Sequence, residues 1–134
     1  MNGKPNRAEE LLQNGATLVL IDGSGVLCYY DRGIKTLLSL QGKLEGAFAA
    51  DKVIGKAAAM LFVRGKIGEV YAELISEPAL EVFERHGVPC SYKKCVPNII
   101  NREGTGMCPM ERAVLDVDDV EKAYEILIER TGGR

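Results

Sequence analysis

Histidine is almost missing from this chain: His86 is the single example in 134 residues. It falls in the last turn of a helix, where capping or packing is the expected role, so a hydrolytic triad has no base to draw on. The four cysteines, Cys28, Cys90, Cys95 and Cys108, include no CxxC pair. If Cys90 and Cys95 bracket one strand they lie about 16 Å apart and point to opposite faces, too far to share a zinc ion with bonds of about 2.3 Å. No metal and no other cofactor is expected. Neither sign of charge dominates: 17 basic and 19 acidic residues give −2, mixed along the chain. That balance excludes a dedicated nucleic-acid or membrane-surface binder and leaves room for a local basic pocket. No run approaches the roughly 20 apolar residues of a membrane span, and the opening MNGKPNRAEE lacks the basic-then-apolar order of a signal peptide. A cytoplasmic location is expected, where the thiols stay reduced and their even number implies no disulfides.

What is present is an ordinary globular composition, 46% apolar and 27% charged, at a length that suits one domain over residues 1–134. Asn6-Arg7-Ala8-Glu9 has the form of a capping box and predicts a short helix ending near Gly15. Thr17 to Ile21 and Val26 to Tyr30 are β-branched, apolar and aromatic runs around Asp22-Gly23-Ser24-Gly25, which predicts an antiparallel hairpin. Gly33 to Gly46 reads as a turn-rich connection with a short helix at Ile34, Leu37 and Leu38. The segment from Asp51 to Val63 is apolar on nearly all sides after its first turn, which predicts an enclosed helix with Asp51 as N-cap.

Glu69 to Ser76 alternates with strand period, and Pro78 suits the first turn of a helix that Gly87 stops. Ser91 to Val96 predicts a further strand, extended past Pro97 to Ile99 and Ile100 as one option. Cys108-Pro109-Met110-Glu111 reads as a helix start, and Val120, Ala123, Tyr124 and Leu127 mark a last helix from about Asp118. This order is α/β, with helices on both faces of a mixed sheet and the strand-helix-strand unit from Glu69 to Val96 right-handed and parallel.

Lys52 and Lys56, four apart, share one side of the helix expected at Asp51, with Gly55 leaving backbone exposed beside them. Two cations at a helix N-terminus oppose its dipole, whereas a bound phosphate or carboxylate would satisfy the free amides and both ammonium groups. The plainer reading is that both stems reach to solvent or pair with Asp51 and Glu45. Cys108, expected at the positive end of its helix, is placed to be a reactive thiolate, and equally to be a small buried cap. Arg102 and the Gly104-Thr105-Gly106 loop offer weak phosphate contacts without the ending of a P-loop. Glu111 suits proton handling or simple capping of its own helix.

The segments AADKVIGKAAAMLF, SEPALEVFERHG and NREGTGMCPME resemble a small, functionally uncharacterised prokaryotic family assigned a cytidine-deaminase-like fold. The resemblance implies a three-layer α/β/α domain around a mixed sheet, with two central helices whose N-termini face one pocket. Active zinc deaminases carry His-x-Glu at the first of those helices and Pro-Cys-x-x-Cys at the second. Here Asp51 to Ala58 holds no histidine, cysteine or glutamate, and the cysteine positions after Pro78 are Ala79 and Val82. Zinc-dependent deamination is therefore not expected. The implied cleft would receive Lys52, Lys56, Glu77 and Cys108, and suits an anionic, nucleotide-like ligand.

Three functions compete. The first is a non-metallic binding or regulatory domain for a nucleotide-like or other phosphorylated small molecule, held by Asp51, Lys52, Gly55, Lys56, Glu77, Arg102 and Cys108. The second is a metal-independent enzyme with Cys108 or Lys56 as nucleophile and Glu111 or Glu77 moving protons. The third is a structural or interaction protein whose pocket is filled by side chains. Self-association into a homo-oligomer through an exposed strand edge is left open by the sequence.

Overall fold

A computed structural model describes residues 3–30, 34–99 and 109–131. Helix α1 (Gly3–Gln13) begins ahead of Asn6, so Asn6 is not its cap. The hairpin follows as expected: β1 (Leu18–Asp22) and β2 (Gly25–Tyr29) pair antiparallel from Leu18↔Tyr29 to Asp22↔Gly25. The Asp22 carboxylate accepts from the Ser24 amide (2.8 Å) and hydroxyl (2.7 Å), and Gly25 takes φ +141°, a conformation that L side chains rarely adopt. Helix α2 (Ile34–Ser39) and a 3-10 turn over Gln41–Lys43 occupy the turn-rich connection.

The helix expected from Asp51 does not start there. Residues Phe48–Ile54 form strand β3, and helix α3 (Lys56–Arg64) begins only after Gly55. Asp51 is thus mid-strand and caps nothing, and Lys52 is not on a helix face with Lys56. The physical reason is enclosure: β3 lies between two other strands, with Phe48 and Ala50 packed on one face and Ala49 on the other. A strand buried on both faces loses its alternation, so its apolar residues merge with those of the next helix.

The remaining elements are β4 (Glu69–Ser76), α4 (Glu77–Arg85), β5 (Cys90–Val96), α5 (Pro109–Ala113) and α6 (Val120–Arg130). Ser76 caps α4 by accepting from the Ala79 amide at 3.2 Å, and His86 closes it, with Nδ1 3.0 Å from the Val82 carbonyl oxygen. β5 stops at Val96: Ile99 is not in the strand and Ile100 lies outside the described residues.

The five strands lie in the order β2-β1-β3-β4-β5, with β1 antiparallel to both neighbours and β3, β4 and β5 parallel. On one face Leu61, Phe62, Phe83 and Leu127 form the main core under α2, α3, α4 and α6, with the rings of Phe62 and Phe83 6.3 Å apart. On the other, Ala8 and Leu12 of α1 pack over Val19, Ile21, Phe48 and Ala50. Burying a leucine such as Leu12 contributes about 2 kcal/mol to packing α1 on the sheet as a third layer.

The pleat is interrupted at one level of all three parallel strands. Ala49 and Ile54, Val70 and Ile75, and Cys90 and Cys95 are each five apart yet pack on the same core, where strict alternation would part them. Cys90 and Cys95 therefore do not point to opposite faces. The pairs that lie between, Lys52-Val53, Glu73-Leu74 and Lys93-Lys94, line a single concavity.

Candidate functional site

Helix α3 opens at the carboxyl end of β3 with Gly55 as N-cap and no side chain of its own at its first amides. Those amides are taken from elsewhere: the Glu111 carboxylate accepts from Lys56 N at 2.6 Å and from Ala57 N at 3.0 Å. The α3 terminus thus holds the chain's own anion, at the position the sequence suggests for a bound one. A Cβ at Gly55 would overlap the Glu111 side chain, so close approach of this carboxylate requires glycine there. Burial raises the Glu111 carboxyl above its usual range, outweighing the two amides and the Lys56 charge, which favour its ionised form.

The Lys56 side chain runs back the other way. Only 8% exposed, it donates through Nζ to the Leu115 carbonyl oxygen at 2.7 Å, just past the end of α5. Glu111 caps a different helix from its own, and Lys56 serves the far end of the segment that carries Glu111.

Lys52 is set apart from this pair. Half-buried on β3, it lines an open concavity of about 590 Å³ with Val53, Glu73, Leu74, Lys93 and Lys94. Each of the three parallel strands supplies two neighbouring residues, and the strand register aligns Val53, Leu74 and Lys94. Among the described residues no ion pair within 4 Å joins Glu73 to any of the three lysines. The sum is a patch with three cations, one carboxylate and an apolar floor of Val53 and Leu74.

Asp51 lies between Leu18 of β1 and Ala72 of β4, and its Oδ1 accepts from the Val53 amide at 3.4 Å. Burial pushes its carboxyl up to about 7, against the pull of the Val53 and Lys52 amides. Glu77 is exposed in the first turn of α4. Arg102 and Cys108 lie outside the described residues. Of the residues singled out in the sequence, the structure therefore brings Gly55, Lys56 and Glu111 together and places Lys52 elsewhere. Lys93 and Lys94 were missed; adjacent lysines in a predicted strand were the available signal.

Gly55, Lys56 and Ala57 open α3 with the Glu111 carboxylate filling the space in front of them. Ala79 and Val82 of α4 are buried in the main core. Among the described residues no group of three histidine, cysteine, aspartate or glutamate side chains could hold a metal ion.

These features define an α/β domain with a mixed five-stranded sheet and an internally capped helix at its centre. Residues 7–130 match the model of a domain of unknown function, DUF1893, and the chain belongs to that family. It is similar to the crystal structure of a DUF1893 family protein (TM1506) from Thermotoga maritima, with 27% identity, a TM-score of 0.88, and 97% of this chain and 91% of that one covered. No curated protein matches. No described helix is long and apolar enough to cross a membrane.

Proposed function

We propose that this domain is a binding or regulatory module for an anionic small molecule, nucleotide-like or otherwise phosphorylated, and that it is not a zinc deaminase. The scaffold reads as deaminase-like because α3 and α4 both begin at the carboxyl ends of adjacent parallel strands, β3 and β4. The observation that carries the ligand is the meeting of Lys52, Lys93 and Lys94 around one concavity on the three parallel strands, within their last few residues. The lysines supply charge for a phosphate, and Val53 and Leu74 supply an apolar floor for a base or other flat group. Lys56 stands outside this site, its buried Nζ donating to the Leu115 carbonyl oxygen.

Titration calorimetry with inorganic pyrophosphate and with nucleoside monophosphates tests the reading. Saturable binding is expected, weakened by added salt, and reduced at least ten-fold in the Lys52→Ala/Lys93→Ala double variant while circular dichroism stays unchanged. Unchanged affinity in that variant, or no binding by the intact chain, overturns it. A second reading, a structural or interaction domain whose cleft is filled from within, is favoured by the Glu111 carboxylate on α3. It expects no heat with any of these anions.

A further inference from the structure

The two edges of the sheet are unlike. β5 carries Lys93 and Lys94 side by side and exposed, and charges on an edge strand discourage pairing with another strand. β2 has no charged residue, and Val26, Leu27 and the adjoining Tyr30 are 36%, 43% and 66% exposed. Leu27 also lines a concavity with Asp22, Lys43 and Glu45, but an apolar edge strand with no charge or proline of its own, and no described strand paired to its outer side, is a template for pairing. We infer that two copies of this chain join through their β2 strands, antiparallel about a two-fold axis at Leu27, to make one continuous sheet.

The hairpin register supports that axis. Its two-residue turn closes on Asp22↔Gly25, and in an antiparallel pair, hydrogen-bonded and non-hydrogen-bonded positions alternate from there. Leu20↔Leu27 and Leu18↔Tyr29 are then hydrogen-bonded, and Tyr29 O indeed faces β1, accepting from Thr17 N at 2.8 Å and Thr17 Oγ1 at 3.1 Å. Leu27 spends its main-chain groups on β1, whereas Val26 and Cys28 direct theirs outward. With the axis at Leu27, Val26 of one copy faces Cys28 of the other, and each of the two symmetric pairs exchanges both hydrogen bonds. Leu27 meets its own counterpart at a non-hydrogen-bonded position, with Cα atoms about 4.5 Å apart.

Side chains then meet as leucine on leucine on the main-core face and valine on cysteine on the α1 face, with no charged residue among those paired. The same operation on β5 makes lysines of the two copies direct or diagonal neighbours wherever the axis falls between Tyr92 and Cys95.

Sedimentation equilibrium decides the matter. The wild-type chain is expected at twice its 14.6 kDa, and the Leu27→Lys variant, which sets two ammonium groups face to face, at the single mass with an unchanged circular dichroism spectrum. Lys93→Ser, at the other edge, leaves the dimer intact. Leu27→Cys, mildly oxidised, gives a covalent dimer whose disulfide maps by peptide mass to position 27 of both copies; this variant decides if Leu27→Lys fails to fold. A wild-type chain that is monomeric at every loading concentration, a folded Leu27→Lys variant that stays dimeric, or a Leu27→Cys variant not joined at position 27 overturns the inference. A different protein seated on β2 would show as the first of these results.

Discussion

Lys56 and Glu111 each complete the other's helical segment: the Glu111 carboxylate takes the first two amides of α3, and the Lys56 ammonium takes the Leu115 carbonyl oxygen beyond α5. Both side chains are 8% exposed, so each would leave buried hydrogen-bonding groups behind if its partner moved. The arrangement ties residues 55 sequence positions apart without a disulfide, and it fixes α5 across the carboxyl end of the sheet.

Removing the carboxylate tests that tie. Glu111→Ala strands two amides at a helix terminus and opens a cavity, which should cost about 2–4 kcal/mol of unfolding free energy. Glu111→Gln keeps one acceptor oxygen and should cost less than half as much. Lys56→Met, which keeps the stem but not the charge, should fall between them and leave anion affinity unchanged, since Lys56 lies outside the concavity. Urea denaturation read by circular dichroism separates the three; a Glu111→Ala loss within about 0.5 kcal/mol of zero would mean the carboxylate holds nothing.

Gly55 supplies an independent test through additivity. Gly55→Ala places a methyl where the Glu111 carboxylate sits, so the side chain must withdraw, at an expected cost of about 2–3 kcal/mol. In a Glu111→Ala background that clash is gone. The double variant should therefore be more stable than the sum of the single losses allows, by about 1 kcal/mol or more. Strict additivity would show that glycine is needed for some reason other than room for Glu111.

Asp51 predicts a pH signature. Its folded pKa of about 7 lies above the ordinary 3.8, so between those values the folded chain keeps a proton that the unfolded chain has released. This contribution to stability is full below about pH 4, declines as pH rises, and is exhausted above 7. For one group the slope is at most about 1.4 kcal/mol per pH unit, less where solvent reaches the carboxyl. Asp51→Asn removes it, so the urea midpoint of that variant should gain on the wild type between pH 4 and 7 and run parallel to it above. Parallel profiles across the whole range would place the Asp51 pKa near its ordinary value.

Much of this architecture was legible in the chain. The hairpin, β4, α4 and the start of α5 each carry a local signal, whether β-branched runs around Asp22-Gly23-Ser24-Gly25, alternation along Glu69–Ser76, or proline in a first turn at Pro78 and Pro109. β3 carries none, because a central strand buried on both faces has no polar side to announce it. Missing β3 moved Asp51 and Lys52 onto a helix and paired Lys52 with Lys56. The Glu111 cap was illegible for another reason: its partner amides are distant in sequence, and its local context suits an ordinary first-turn carboxylate equally well.

Cys90 offers the last test, one of reactivity. Burial against the main core, with smaller contributions from Cys95 and Glu84, raises its thiol from 9.0 to about 11. At pH 8 such a thiol holds roughly a hundred-fold less thiolate than an unperturbed one, while the thiolate itself is a stronger nucleophile by somewhat under ten-fold. The two effects leave alkylation of Cys90 by iodoacetamide about ten-fold slower in the folded chain than in the same chain unfolded in urea. Peptide mass mapping of a timed reaction reads each cysteine separately, so no substitution is needed. Equal rates in the two states would mean that Cys90 is not held against the core and that its thiol keeps its ordinary value.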